Sequence, residues 1–588
     1  MSVERASTTS AVRAGDFAPD SRLIMLSGFA LVIGCISTLG AMLLLDAIRL
    51  FTNVFYFHTV SLGFRSPAGN QLGAAAVLVP VIGGLIVGLM ARFGSEQIRG
   101  HGIPEAIEAI LFGKSRMSPK VAVLKPLSSG IAIGSGGPFG AEGPIIMTGA
   151  AAASLMAQAF HLTAAERKAL LVAGACAGMT AIFGTPLAAV LLAVELLLFE
   201  LRPRSLLPVA LSCCVAGFLR PLWAGAGPLF PLQTEAPTMT ALLSCMVAGI
   251  AAGAVSSLMT HLLYRVENLY ARLPLHWMWW PALAGVVVGV GGLLQPRALG
   301  VGYDVIGDLL QHHLLLGAAL ALLAVKLIIW AVALASGTSG GVLAPLLMIG
   351  AGLGSVLGQW LPGGNPQFWA LVCMAAILAG TMRAPLTAVV FAFGLTHDFS
   401  AFLPTLLSSA VAYGFTVIVM PRSILTEKIA RRGRHVYREY AVDPLERHFV
   451  DEVMSRAVLT IPGDLSARAA LRDYFGPDQK HRAYPVVAEL RLLGMLDRSM
   501  LYSLSGAALQ QPVAQLLPAL SVGGFVTPEG TCKSAAAQLA ARGLERLPVV
   551  DDIHSRHIVG IVSRSDLVKP AHRIHEEEVR RERLLGEA

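Results

Sequence analysis

The stretch "GSGGPFGAEGP", Gly134–Pro144, decides how this chain is read. It sets one carboxylate, Glu142, among glycines, prolines and apolar residues that do not sustain an ordinary helix interior. Its surroundings make that acid unusual. Of 588 residues 55% are hydrophobic and 14% charged, where soluble proteins carry about 25% charged residues. Charges are sparse from Leu23 to Met420 and frequent from Arg422 to Ala588. A membrane unit followed by a water-soluble unit is expected. An ionisable residue inside a membrane is expensive and marks a functional position.

Twelve apolar segments fall between Leu23 and Val419. Several are shorter than the roughly 20 residues a span requires, and Gly/Pro pairs interrupt them. Broken helices are tolerated at membrane depth only inside protein or along a cavity. A pore or transporter core of half-helices is expected, rather than a bundle of rods. The chain also repeats itself. "GPIIMTGAAAAS" from Gly143 matches "APLLMIGAGLGS" from Ala344, 201 positions later; "FGTPLAAVLLAVEL" from Phe183 matches "MRAPLTAVVFAFGL" from Met382, 199 later. Such repeats place a transporter's binding site between the halves.

Backbone N–H groups at helix N-termini offer an anion partial positive charge without a mobile cation. Glycine permits close approach and proline suits the first helical turn. Three such starts occur: Gly100-His101-Gly102-Ile103-Pro104, Gly140-Ala141-Glu142-Gly143-Pro144 and Gly340-Gly341-Val342-Leu343-Ala344-Pro345. Together they point to one shared anion site.

These stretches resemble the signature motifs of the CLC chloride channels and proton/chloride antiporters, G-S-G-I-P, G-[K/R]-E-G-P and G-x-F-x-P. The likeness extends to Lys125, "GVGY" (Gly300–Tyr303) and "RAPLTAVV" (Arg383–Val390). It implies an all-α polytopic membrane fold, a CLC-type inverted repeat with broken, re-entrant helices, followed by a cytoplasmic α+β CBS tandem. It implies Glu142 as the gating glutamate, competing with chloride, and Lys125 as supporting charge. Chloride-binding candidates are Gly100, His101, Gly102, Ile103, Gly140, Gly143, Val342, Leu343 and Leu425. Around the anion path the chain departs from the family: His101 replaces serine, Ala141 a basic residue, Leu343 phenylalanine and Leu425 tyrosine. The inward proton glutamate aligns with Leu196, beside Glu195, and Gly394 stands where relatives often carry glutamate. Glu195 and Leu196 are therefore the proton-path candidates. The missing acids favour an anion channel over a proton-coupled antiporter, the alternative.

The soluble part repeats too. Arg482–Leu504 and Glu545–Lys569 each contain "PVV", a turn, a second strand and a helix start, as in tandem β-α-β-β-α CBS modules. Ser563 and Asp566 match positions where such modules bind adenosine ribose, so an adenine nucleotide is the candidate ligand there. The expected organisation is a cytoplasmic tail (1–21), a transmembrane anion-conducting domain (22–435), a linker (436–450), CBS modules at 451–508 and 509–572, and a charged tail (573–588). Basic residues Arg92–Lys120 and Arg422–Arg434 place both termini in the cytoplasm by the positive-inside rule, and account for the net charge of +8 without nucleic acid. A multi-pass protein of a bacterial-type inner (plasma) membrane is expected, and the resemblance implies a homodimer with one pore per subunit. The seven cysteines show no metal-ligand spacing; no metal and no required cofactor is expected. An intramembrane enzyme lacks H-E-x-x-H, G-x-S-x-G or a nucleotide loop. A cation transporter would need acids beyond Glu142 and Glu195.

Overall fold

The structure, a computed structural model, describes residues 22–434, 436, 445, 448–476, 479, 481–502, 504–518, 524–569 and 581–582. The expected N-terminal tail, most of the linker and all but two residues of the C-terminal tail lie outside them. Two compact units result, residues 1–438 with 581–588, and residues 439–580.

The first unit is helical and doubled. Its first repeat runs α1 (Arg22–Phe57), α2 (Leu78–Phe93), α3 (Ile103–Leu111), α4 (Pro119–Gly134), α5 (Glu142–Gln158), α6 (Ala164–Phe183), α7 (Pro186–Leu192) and α8 (Pro203–Leu219), with a short α9 (Pro221–Ala224). The second runs α10 (Met239–Ala271), α11 (Trp280–Leu294), α12 (Tyr303–Leu310), α13 (Leu316–Ala335), α14 (Leu343–Leu357), α15 (Pro366–Met382), α16 (Pro385–Thr396) and α17 (Phe402–Val419), followed by α18 (Ile424–Arg431). Among the described residues seven helical stretches are long and apolar enough to cross a bilayer, whereas α14, α15 and α16 are shorter apolar helices. Helix α1, with 36 residues, is ~54 Å long at 1.5 Å per residue. It exceeds a hydrocarbon core of about 30 Å, so it is long enough to span one with some tilt.

Local chemistry sets these boundaries. Proline occupies the first or second position of α3, α4, α7, α8, α11, α15 and α16, where its missing N–H costs nothing. Thr163 caps α6: its hydroxyl accepts from Glu166 N at 3.1 Å while the Glu166 carboxylate accepts from Thr163 N at 2.7 Å. The apolar pattern overlooked α4 and α5, because Lys125, Pro126 and many Gly, Ser and Ala residues dilute it. Helix α10 runs on to Ala271 through amphipathic last turns that an apolar pattern does not mark. Glycine brings the halves together. A Cβ at Gly84 would collide with Pro281 O, and one at Gly285 would lie 2.5 Å from Pro80 O; α2 and α11 pack main chain to main chain, as small residues allow in membranes. In the same unit β1 (Leu162–Thr163) pairs antiparallel with Arg581–Glu582.

The second unit holds two small modules. In the first, β2 (Ile461–Pro462) runs parallel to β3 (Ala483–Ala488), which pairs antiparallel with β4 (Arg491–Asp497). Helices Ala467–Tyr474 and Arg498–Tyr502 complete it. In the second, β5 (Arg546–Val550) and β6 (Ile558–Ser563) form a hairpin beside helix Cys532–Arg542. Val526 bridges parallel to Val549. The helix expected after β6 is a 3-10 turn, Asp566–Val568. Each module buries its own core, around Tyr484, Val486 and Leu496, and around Leu547, Val549 and Val562. The modules meet at hairpin edges, where Leu492 N donates to Arg556 O at 2.9 Å and Ile558 N to Leu490 O at 3.2 Å.

Candidate functional site

The two repeats touch where α5 and α14 begin. Gly140 N donates to Gly341 O at 3.1 Å and Gly341 N to Gly140 O at 2.8 Å. A Cβ at Gly341 would lie 2.7 Å from Gly140 O and 2.9 Å from the Glu142 carboxyl carbon; one at Gly102 would lie 2.6 Å from Gly143 O. A Cβ at Gly143 would strike His101 O and lie 3.2 Å from Gly341 Cα. The three glycine-rich turns therefore meet through main-chain atoms. Val342 and Leu343 are buried beside them.

Glu142 is completely buried at this junction. Its Oε1 accepts from Ala344 N at 2.5 Å, and the N–H groups of Leu343 and of Glu142 itself also act on the carboxylate. Its Oε2 has no protein partner. A helix N-terminus carries about half a positive charge. The acid that opens the first repeat's helix thus sits on the N-terminus of the second repeat's helix, where an anion would rest.

Several expected donors are committed elsewhere. Gly100 N donates to Gly337 O at 3.0 Å, Gly102 N to Glu105 Oε2 at 2.9 Å, and Gly140 N to Gly341 O. This corrects the expectation that Gly100 and Gly102 offer free amides, and leaves those of His101 and Ile103 as the first motif's candidate donors. The His101 ring is buried with neither nitrogen hydrogen-bonded. Each such unpaired buried nitrogen costs about 1–3 kcal/mol.

Lys125 neither snorkels nor pairs with Glu142. It is fully buried, and its Nζ donates to Ile98 O at 2.8 Å and Gly100 O at 2.7 Å. Sequence reading missed its counterpart. Lys326, equally buried, donates to Ala298 O and Gly300 O, each at 2.9 Å. The turns these lysines clasp match as well: Gly100 and Gly102 have φ +85° and +93°, Gly300 and Gly302 +66° and +77°. Lys326 lies 201 positions after Lys125, the same offset as the first repeat match, so the signal was present.

On the side of α3 and α18 a cavity of about 660 Å³ is lined by Arg99, Gly100, Glu105, Glu108, Lys428 and Arg432, among others. Lys428 Nζ lies 2.9 Å and Arg432 3.2 Å from Glu105 Oε1. Leu425 is buried one turn before Lys428. The proton-path candidates lie elsewhere. Glu195 is buried in a π-helical turn, Ala193–Leu198, and its carboxylate accepts from Leu386 N at 3.2 Å, Thr387 N at 2.7 Å and Thr387 Oγ1 at 2.6 Å. It caps α16. Leu196 is buried and apolar, and a Cβ at Gly394 would lie 2.6 Å from Thr185 Cγ2.

In the second unit Asp566 Oδ2 accepts from Ser563 N at 2.8 Å and Ser563 Oγ at 2.6 Å, while Lys569 Nζ holds Oδ1 at 2.6 Å. Partial burial alone would raise this carboxyl; the hydrogen bonds from Lys569 and Ser563 outweigh it and hold it below its ordinary value.

The sequence profile described as "voltage gated chloride channel" matches residues 83–417, and the CBS domain profile matches 450–505 and 524–572. A voltage-gated ClC-type chloride channel ClcB of Citrobacter koseri is 30% identical over 389 residues, covering 63% of this chain and 91% of its own. The H(+)/Cl(-) exchange transporter ClcA of the same organism is 27% identical over 364 residues, covering 58% and 76%. Among solved structures, a eukaryotic CLC transporter superposes with TM-score 0.62 at 19% identity, covering 92% of this chain and 98% of its own. A slow cyanobacterial Cl-/H+ antiporter gives 0.61 at 20% identity, covering 71% and 99%. With inverted halves joined at paired glycines, and profiles matching the membrane unit and both soluble modules, this chain is a multi-pass membrane protein of the CLC family carrying a CBS pair.

Proposed function

We propose that the protein conducts chloride and similar small anions passively, through a path gated by Glu142 in each subunit of a homodimer. The observation that carries this reading is the Glu142 carboxylate resting on the amides of α14, where a permeating anion would compete with it. Protonation removes its charge, weakens its hold on those amides and releases the path. Preference for a channel over exchange is supported by Leu196 and Gly394, where no carboxylate stands to relay protons, and by Glu195, whose carboxylate is engaged in capping α16. Relatives bearing exchanger names keep proton-coupled exchange as the second reading.

The cavity beside Lys428 and Arg432 serves as the cytoplasmic mouth, in line with the positive-inside rule. In the CBS pair an adenine nucleotide would take its ribose contact from Asp566 after displacing Lys569.

One experiment addresses the central reading: reversal potentials of the reconstituted protein under opposed chloride and pH gradients. A potential that follows chloride alone is expected, and one that moves with the proton gradient selects exchange. In the same bilayers Glu142→Ala is expected to abolish acid activation; a retained pH response would remove Glu142 from the gate.

A further inference from the structure

A further unpaired polar atom lies near the gate. The Tyr303 hydroxyl is buried and without a hydrogen-bond partner, as is Glu142 Oε2. Tyr303 opens α12, directly after Gly302, whose φ of +77° turns the chain. A Cβ on Gly302 would collide with Met348 and lie 4.0 Å from Lys326 Nζ. Met348 lies one helical turn beyond Ala344, whose N–H holds Glu142. The phenol is seated by aromatic rings, edge-on to Phe183 at 6.1 Å and against Phe230 at 6.3 Å, so its hydroxyl has a fixed direction.

The charged and titratable groups around Glu142 come from several elements. Lys326 of α13 attracts the Glu142 carboxylate, and the charge of that carboxylate acts on the Tyr303 hydroxyl of α12. Exposed Asp304 lies beyond, facing Lys326. His101, against Gly143, and Lys125, behind Gly100, stand on the first repeat's side. By the inverted repeat, the Lys326-clasped turn Gly300–Tyr303 is the counterpart of the Lys125-clasped turn Gly100–Ile103. The gate thus has a turn of the same build toward each membrane face, and the one belonging to the second repeat carries an idle hydroxyl.

We propose that Tyr303 is a positioning residue for the open gate: its hydroxyl donates to the Glu142 carboxyl group once that group has left the amides of α14, and Lys326 fixes the turn that presents it. The proposal rests on the reading of Glu142 as the gate. A hydrogen bond donated to the released, protonated carboxyl favours release, so removing the donor makes opening demand more acid.

The test is chloride efflux from liposomes holding the full-length protein, with pH varied on each side in turn, for wild type, Tyr303→Phe, Glu142→Ala and the double variant. Tyr303→Phe keeps the ring and its packing. It is expected to move half-activation by roughly half a pH unit or more toward acid, about threefold in proton concentration, as for the loss of one hydrogen bond. In the Glu142→Ala background it is expected to change nothing. The carboxyl C=O band in acid-minus-neutral infrared difference spectra, assigned by its loss in Glu142→Ala, is expected to rise in frequency in Tyr303→Phe. A Tyr303→Phe profile and band that superpose on wild type overturn the proposal and leave the gate reading standing. An equal effect of Tyr303→Phe with and without Glu142 also overturns it, assigning the hydroxyl to the permeating anion. A wild-type pH response in Glu142→Ala overturns the gate reading, and the proposal with it.

Discussion

Lys125 and Lys326 show what a buried charge does when its partners are main-chain carbonyls. Each ammonium spans two carbonyl oxygens and fixes the turn ahead of a helix start. Replacing either with methionine keeps the volume but strands two acceptors at about 1–3 kcal/mol each. Lys125→Met and Lys326→Met are therefore expected to lower the melting temperature in detergent by similar amounts, and similarity is the informative outcome because the clasps are equivalent. At this scale the sequence was legible in part. Glu142 and the glycines could be found from the chemistry of an anion in a membrane, and Lys125 from the resemblance to the family. The capture of the Gly102 amide by Glu105 was legible in principle, since the two are N-cap and N3 of α3. The engagement of Gly100 with Gly337 was not, because it joins residues more than 200 positions apart.

Among elements, the junction of α5 and α14 carries the most consequence. Substituting Gly341 by alanine puts a methyl group 2.7 Å from Gly140 O and 2.9 Å from the Glu142 carboxyl carbon. Close packing leaves no slack to absorb it, so the helix starts must part and Glu142 must leave Ala344. Gly341→Ala is expected to remove the dependence of chloride efflux on acid, measured in liposomes at matched protein content. A merely local accommodation would leave the acid dependence intact. Helices α4 and α5 were hidden from an apolar pattern because membrane helices that pack this tightly are built from Gly, Ala and Ser. The repeat revealed what hydropathy concealed: α5 and α14 align in sequence although neither looks like a full span.

For the whole molecule, the change in charge density after Met420 separated a membrane unit from a soluble one, and the paired "PVV" strands disclosed two modules. Asp566 was legible as a chemical candidate, but not its occupation by Lys569, which depends on how the chain turns after β6. Calorimetric titration of the full-length protein with adenosine triphosphate is expected to give weak binding, abolished by Asp566→Ala. Lys569→Ala is expected to strengthen it several-fold if displacement of this lysine limits affinity. Because the Asp566 carboxyl is held below its ordinary value, its contribution to folding is complete above the ordinary carboxylate range and lost only as pH falls through the depressed value.

The hydrogen-bonded glycines at the meeting of the repeats have no rotamers to flip. If one swinging carboxylate suffices to clear the way, the cross-section that the protein presents to lipid is the same open or shut. Lateral tension in the bilayer then does no work on the opening step, and stretching the membrane leaves its rate untouched.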